Sequence, residues 1–507
     1  MKGRCIVILI ACLAIVGLAP PTEATPSGSG LVSREEARAV AENWIALIIH
    51  HRGDWGGAPA AQVREVRELR YGGRLVGFLC RIAPHGFIVT SLRRELEPVK
   101  AYSTDGDLDP DDEEGMADVI KGGMARILEA VEAELGPIAA VAGRELEGIL
   151  EVNYRPAWDE LGGSPSAFAA GLASGETALR YAGGQVLLTS SWHQNEPYNA
   201  WCPPMVGSEA CHHAVVGCIA TAGAQIMRYW NWPPYGQDSP YNDRYDWILM
   251  PDALTPQSPA NQIEAVAELC MEVGDAAGMD YGCSESTAWL ADKPGRDMLD
   301  AYEDHFRYHD GAYMIARGGS FASQWFNLIK ATLNLNRPIQ YAIHTSSLFG
   351  GHSMVCDGWQ EVGSTRQYHM NYGWGSASCG GHACNWWYTL DALYHSEDTG
   401  LEMMLLGLRP ETALGSTVSG GYTPGTFPYR YFDQNATGVN ASFDAGHYLQ
   451  FLPGVRVTCR GMGYDKIQFR GWSNANSRLF TRGNIGAGAR IYSGHIYLFG
   501  GGSIKLY

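Results

Sequence analysis

The sequence predicts an α+β protein built in three parts. Three observations carry that prediction. Between residues 186 and 410 a run with helical spacing comes first and short strand-like runs follow it. Between 31 and 160 a capped helix precedes strand-like runs of its own. From 422 to 507 short alternating runs are separated by Gly and Asn turns, which predicts a small all-β module with a solenoid-like short repeat. A length of 507 residues suits about three domains. Hydrophobic residues at 46% and charged residues at 18% are the balance of a globular chain with sizeable cores. The formal charge of −17 lacks the basic footprint of a general nucleic-acid binder, so no nucleic-acid partner is expected.

Residues 1–25 read as a secretory signal. Lys2 and Arg4 supply the positive start, residues 5–19 the apolar run, and Thr22-Glu23-Ala24 a small-residue cleavage site. Leu9-Ile10-Ala11-Cys12 also fits a lipoprotein cleavage box, but Cys12 comes early and apolar sequence continues past it, so secretion is the expectation. The run is short for a bilayer span, and no other stretch is long and apolar enough for one.

In the block 31–160, Ser33 and Glu36 form a capping box at the start of a helix reaching His50. Strands are expected at 74–82 and 86–91, joined by a turn at Pro84-His85. The acidic run 105–114 reads as a solvated loop, and helical sequence follows to about Leu150. Residues 161–185 are rich in Gly, Ala and Ser, the composition of a linker open to proteolytic nicking.

In the block 186–410, Ile219, Ala222, Ile226, Tyr229 and Trp230 recur at helical spacing, and Pro233-Pro234 stop the run. Cys218 therefore sits in a first helical turn, where free N–H groups and the helix dipole favour a thiolate. Most cysteines are simply small core residues. Gly217, the small residues after Cys218 and a suitably placed histidine favour a nucleophile instead. That histidine is His352, preceded by two glycines and followed by a strand; His344 and His369 are rival bases. A Cys–His pair divides amide cleavage into acylation and deacylation. Asn371 is the candidate to orient the imidazole, and Trp374 to shield it. The Cys218 N–H and the Gln194 side chain are candidate oxyanion donors. Further strands are expected at 338–344, 353–357 and 367–372. Cys202 with Cys211, and Cys379 with Cys384, are the local candidates for pairing in an oxidising compartment. His212, His213 and His382 lie near these cysteines, but the spacing fits no regular zinc ligand pair, so neither a metal nor a cofactor is expected.

These residues carry a resemblance. Trp192-His-Gln-Asn-Glu-Pro-Tyr-Asn199, Gly217-Cys-Ile-Ala-Thr-Ala222 with Gln225-Ile-Met-Arg-Tyr-Trp230, Gly351-His-Ser-Met-Val-Cys-Asp-Gly358 and His369-Met-Asn-Tyr-Gly-Trp-Gly375 resemble, in order, the streptopain family of secreted bacterial cysteine peptidases. The resemblance implies a papain-like domain at 186–410, with Cys218 as nucleophile and His352 as base. It implies an endopeptidase favouring a bulky apolar residue two places before the cut. Pro84-His-Gly-Phe-Ile-Val-Thr-Ser91 and Pro98-Val-Lys-Ala-Tyr-Ser103 are similar to the family's inhibitory propeptide. That implies a zymogen whose own propeptide, 31–160, is its inhibitor, with activation in 161–185. Tyr372 departs from the family's usual tryptophan and Gly223 from a larger residue, and the insertion at 376–385 clouds substrate preference.

Residues 422–507 lie outside the resemblance. From Arg409 onward ten basic residues face four acidic ones, which suits contact with an anionic surface or a polysaccharide and equally a merely soluble appendage. The alternatives are a catalytically weak binding protein acting through this module, or a Cys–His hydrolase of cell-wall peptides. Gly351-His-Ser353-Met-Val355 starts like a serine nucleophile elbow but lacks its closing glycine.

Overall fold

The computed structural model describes residues 30–113, 115–137, 150–207, 210–318, 320–344, 351–374, 385–389, 402–414 and 429–434, with the backbone of further short strands between 419 and 498. The signal segment, Cys379, Cys384 and His382 lie outside the described residues.

The N-terminal domain opens on α1 (Arg34–Arg52). Ser33 accepts the Glu36 N–H at 3.1 Å, Glu35 and Glu36 occupy the positive end, and Gly53 closes the helix at φ 96° by donating to the Ile49 carbonyl. One face of α1, with Val40, Trp44, Leu47 and Ile48, packs on β1 (Gln62–Tyr71), β2 (Arg74–Ala83), β3 (Phe87–Ser91) and β4 (Ala101–Ser103). The acidic run is not merely solvated: Asp111 pairs with Arg67 at 2.8 Å and Asp107 with Arg81 at 3.4 Å, holding the loop to the sheet. α2 (Gly115–Leu135) follows, shorter than the helical run expected to Leu150; residues 138–149 lie outside those described.

The segment expected as a linker carries regular structure. α3 (Arg155–Leu161) and α4 (Pro165–Ser174) pack against α1, and β5 (Tyr181–Gly183) pairs with a strand of the next domain. Alanine, the best helix former, recurs through α4, and Phe168 and Leu172 are the two anchors it buries. Ala173, Ser174, Gly175, Glu176, Ala178 and Arg180 remain exposed.

The central domain sets α5 (Cys218–Trp230), α6 (Ala260–Ala276), the short α7 (Met298–Asp300) and α8 (Ala322–Leu333) around β6 (Tyr313–Ala316), β7 (Ile339–His344), β8 (Gly351–Val362), β9 (Thr365–Asn371), β10 (Asn385–Thr389) and β11 (Glu402–Leu406). Helices precede most of the strands, as the α+β pattern requires. The strands of both domains form one eleven-stranded sheet, in the order β1-β2-β3-β4-β10-β9-β8-β7-β11-β6 with β5 on β8. All its pairings are antiparallel. The domain boundary lies inside the sheet, where Tyr102 sits opposite Trp387 and Ala101 opposite Tyr388.

Among the described residues from Ser419 onward the strands pair in parallel, in two ladders; one runs β13 (Tyr429–Phe432), β15 (Tyr448–Phe451), β18 (Arg478–Thr481) and β20 (His495–Leu498). The other is built on β12 (Ser419–Tyr422), β14 (Ala436–Asp444), β16 (Arg456–Cys459), β17 (Ile467–Arg470) and β19 (Asn484–Ile485). Successive parallel strands separated by short connections are the arrangement of a β-solenoid. The module meets the central domain where the fully buried Asp433 takes Arg337 at 3.4 Å and its carbonyl accepts from Asn336 at 3.3 Å.

Candidate active site

Cys218 is the first residue of α5, and Gly217 places it there. Gly217 has φ 86°, and a Cβ at this position would lie 2.8 Å from Met279 Cε and 2.9 Å from the Ser286 carbonyl. Both backbone and space therefore demand glycine. Every residue from Ile219 to Trp230 is buried, so α5 is enclosed on all sides rather than on one face as the spacing suggested. Polar side chains on its far faces are absorbed: Gln225 accepts from the Trp192 N–H at 3.0 Å, and Arg228 donates to the Met250 carbonyl at 2.6 Å. The helix ends just before its prolines, at Asn231 with φ 48°. Gly223 is explained by α7: a Cβ there would lie 2.6 Å from Met298 Cε, which fills the space a larger residue would take.

Gln340 brackets helix and sheet. Wholly buried in β7, it donates from Nε2 to the Ile219 carbonyl in the first turn of α5 at 3.0 Å and to Ser353 Oγ on β8 at 3.1 Å. The Cys218 sulfur consequently faces the backbone N–H of Ser353, the residue after His352, as well as the N–H groups of Ile219 and of Cys218 itself.

His352, half-buried, begins β8 opposite Ile343 of β7. Its Nε2 lies 2.7 Å from the Tyr372 carbonyl. A carbonyl only accepts, so Nε2 carries the proton and the neutral ring keeps its lone pair on Nδ1. Tyr372 stacks beside the ring at 5.5 Å and 8°, and Trp374 covers it at 4.6 Å and 45°.

Asn371 does not make the contact expected of it. Its Oδ1 accepts from Gln225 and from the Gly373 N–H, both at 3.1 Å, and its Nδ2 donates to the Ser190 carbonyl at 2.8 Å. The main chain of Tyr372 supplies the acceptor instead. Gln194 is half-exposed and its carbonyl accepts the Val216 N–H at 2.9 Å, which sets it beside the Gly217-Cys218 turn. Of the rival bases, His369 is committed to the buried Asp357, Nδ1 to Oδ1 at 2.6 Å. The His344 side chain is outside the described ones.

Burial dominates the electrostatics. It pushes the Cys218 thiol up, against the three N–H groups that favour the thiolate, and it pushes His352 down to about 4. Burial thus opposes the thiolate that the helix start was expected to favour. The expected Cys202–Cys211 pairing is also replaced. Cys211 bonds to Cys283, 72 residues away, and Cys202 is a free, buried thiol. Neither that disulfide nor the Ser353 and Tyr372 main-chain groups had a local sequence signal, because each depends on segments that meet only in the fold.

A partly exposed thiol at a helix start, set against the strand that presents a tautomer-fixed histidine, defines a cysteine-type hydrolase. Residues 192–381 match the peptidase C10 family. Streptopain of Streptococcus pyogenes serotype M1 is 26% identical over 427 residues, covering 77% of this chain and 93% of that protein. The thiol protease/hemagglutinin PrtT of Porphyromonas gingivalis is 28% identical over 240 residues, 44% of this chain and 25% of that protein. The fold is similar to a Prevotella intermedia prointerpain A fragment bearing a cysteine-to-alanine substitution, with a TM-score of 0.50, 21% identity, and coverage of 68% of this chain and 98% of that one. Residues 192–381 carry the peptidase C10 match within a chain similar to streptopain, and the protein is a cysteine peptidase.

Proposed function

We propose that the chain is the zymogen of a secreted, papain-like cysteine endopeptidase. Residues 1–25 direct export, 31–160 act as the inhibitor in cis, and cleavage in 161–185 releases the enzyme. Proteins and peptides are the substrates. Similarity to streptopain extends over more of the chain than the peptidase segment, which supports a shared N-terminal domain. The exposed stretch from Ala173 to Glu176 supports an activation cut there. The C-terminal module, with its basic excess, is proposed to hold the enzyme at an anionic surface or polysaccharide.

The observation that carries this reading is the Ser353 N–H facing the Cys218 sulfur, since it sets the His352 strand against the nucleophile. In acylation, His352 Nδ1 accepts the thiol proton and the sulfur attacks the substrate carbonyl carbon. The carbonyl oxygen becomes an oxyanion that the Cys218 N–H and the Gln194 side-chain amide stabilise. The imidazolium then protonates the leaving amine, and the C–N bond breaks to leave a thioester. Water, deprotonated by the same nitrogen, hydrolyses the thioester and restores the thiol. The Tyr372 carbonyl holds Nε2–H throughout, so the charged ring forms without turning.

Cys218→Ala tests the assignment. It is expected to abolish casein hydrolysis and self-processing, and wild-type rates would overturn it. N-terminal sequencing of the secreted form tests the zymogen, the expected start lying between Gly162 and Leu188.

A further inference from the structure

We propose that Glu196, His212 and His213 form a binding site for a divalent transition metal of the zinc class on the segments leading into the nucleophile turn. Each residue offers one ligand atom, and these atoms lie within 4.8 Å of one another. Neighbouring ligands of a tetrahedral ion with bonds of about 2.0–2.1 Å stand about 3.3 Å apart. Glu196 and His212 are exposed, so side-chain rotation closes that difference.

His213 is already prepared for coordination. Its Nδ1 lies 2.9 Å from the Cys202 carbonyl, which can only accept. The ring hydrogen is therefore on Nδ1 and the lone pair on Nε2, the arrangement by which a hydrogen-bonded carbonyl orients a metal-bound imidazole. The His212 and His213 rings are 4.2 Å apart at 82°.

The frame around the three residues is stiff. Asn199 donates to the Ala214 carbonyl at 3.0 Å, the Ala214 N–H donates to the Pro203 carbonyl at 2.9 Å, and the Val216 N–H donates to the Gln194 carbonyl at 2.9 Å. The disulfide from Cys211 to Cys283 anchors the turn that carries both histidines. Two imidazole nitrogens and one carboxylate oxygen suit zinc, nickel or copper(II) and disfavour calcium and magnesium. Three protein ligands leave a fourth position for water. The spacing of the three residues along the chain gave no such reading, because adjacent histidines and a glutamate sixteen residues earlier resemble no regular ligand pair. A bound ion would tie the Gln194 segment to the one that ends in Cys218.

The test uses the full chain with Cys218→Ala, so that the nucleophile supplies no ligand and the outcome is independent of the peptidase reading. Zinc binding is measured by calorimetry, and cobalt(II) is followed by its visible absorption. One ion per chain is expected. Each of His212→Ala, His213→Ala and Glu196→Gln should weaken zinc by more than about tenfold, since loss even of a ligand's hydrogen-bond partner costs that much. The cobalt spectrum should lack a thiolate charge-transfer band. His212 and Glu196 are exposed, so their variants fold and keep the test decisive. Absence of zinc binding up to millimolar metal, or unchanged affinity when all three are replaced, overturns the site.

Discussion

His352 Nε2 meets the main-chain carbonyl of Tyr372 at 2.7 Å, so the acceptor that fixes this imidazole belongs to no side chain. Substitution at residue 372 leaves the oxygen in place. What can disturb it is the turn that carries it, and Asn371 holds that turn through the Gly373 N–H.

Replacing Asn371 with alanine should therefore act on stability and loop position rather than on the ionisation of His352. The change leaves the buried Gln225 amide and the Ser190 carbonyl short of partners, a loss of about 1–3 kcal/mol. A lowered melting temperature with an unshifted pH profile of kcat/KM is expected. A direct Asn371–His352 contact would shift the profile instead.

Cys218 should be the first of the described free cysteines to react with iodoacetamide. Cys80, Cys202, Cys270 and Cys356 are all buried, and burial pushes Cys80 and Cys202 up to about 12. In the unprocessed chain the reaction should nonetheless be slow at neutral pH. Burial raises the Cys218 thiol, so the reactive anion appears only as pH rises past the ordinary thiol range. Peptide mapping after alkylation at several pH values checks both statements.

Glu272 gives a stability prediction with a defined sign. Burial lifts its carboxyl to about 7 in the folded chain, while it accepts a hydrogen bond from the Tyr245 hydroxyl at 2.5 Å. The folded state thus holds this proton more tightly than the unfolded state, whose carboxyl titrates near 4.5. Its destabilising effect is full above pH 7 and fades as pH falls from about 7 toward 4.5. Glu272→Gln in the Cys218→Ala background should raise the melting temperature at pH 8 more than at pH 5. Equal shifts at the two pH values would contradict it.

Thr389 joins the two domains at the seam of the sheet. Its N–H donates to the Lys100 carbonyl at 2.8 Å, its hydroxyl donates to the Val99 carbonyl at 2.6 Å, and that hydroxyl accepts from Gln367 at 3.0 Å. Arg52 adds a cation over Trp387 at 4.4 Å, and Tyr102 stacks on the same ring at 9°. After a nick in the exposed segment ending at Arg180, the N-terminal fragment should co-elute with the peptidase on gel filtration. Thr389→Val removes both hydroxyl contacts, and should make that complex separate at lower urea, by about 1–3 kcal/mol.

The elements legible in the sequence were those whose cause is local. Ser33 caps α1 through Glu36, three residues on, and the β-branched and aromatic residues of β2, β3, β7 and β8 announce strands directly. The four motifs around Cys218 and His352 were equally visible, and at Gly217 close backbone approach demands the glycine. What escaped was non-local. The two thiols of the Cys211–Cys283 bridge are brought together by the fold of the loop that also supplies Ser286 to the Gly217 turn. The N–H groups at the start of α5 do favour the Cys218 thiolate, but desolvation, which depends on the sheet packed over that first turn, outweighs them. The Gly, Ala and Ser composition of 161–185 concealed α4, because alanine favours a helix as readily as it fills a linker.

The seam at Ala101 and Tyr102 has a cost that falls due only after activation. While the leader is attached, β10 is an interior ribbon with a neighbour on each side. Removal of the N-terminal domain, as the proposed activation requires, would leave the outward amides and carbonyls of that ribbon bare in water, flanked by Trp386, Trp387 and Tyr388. An aromatic, unpaired border of this kind invites another extended chain to dock along it. On the proposed zymogen reading, the N-terminal domain also covers this border, and a mature enzyme refolded without it should be the more prone to aggregate.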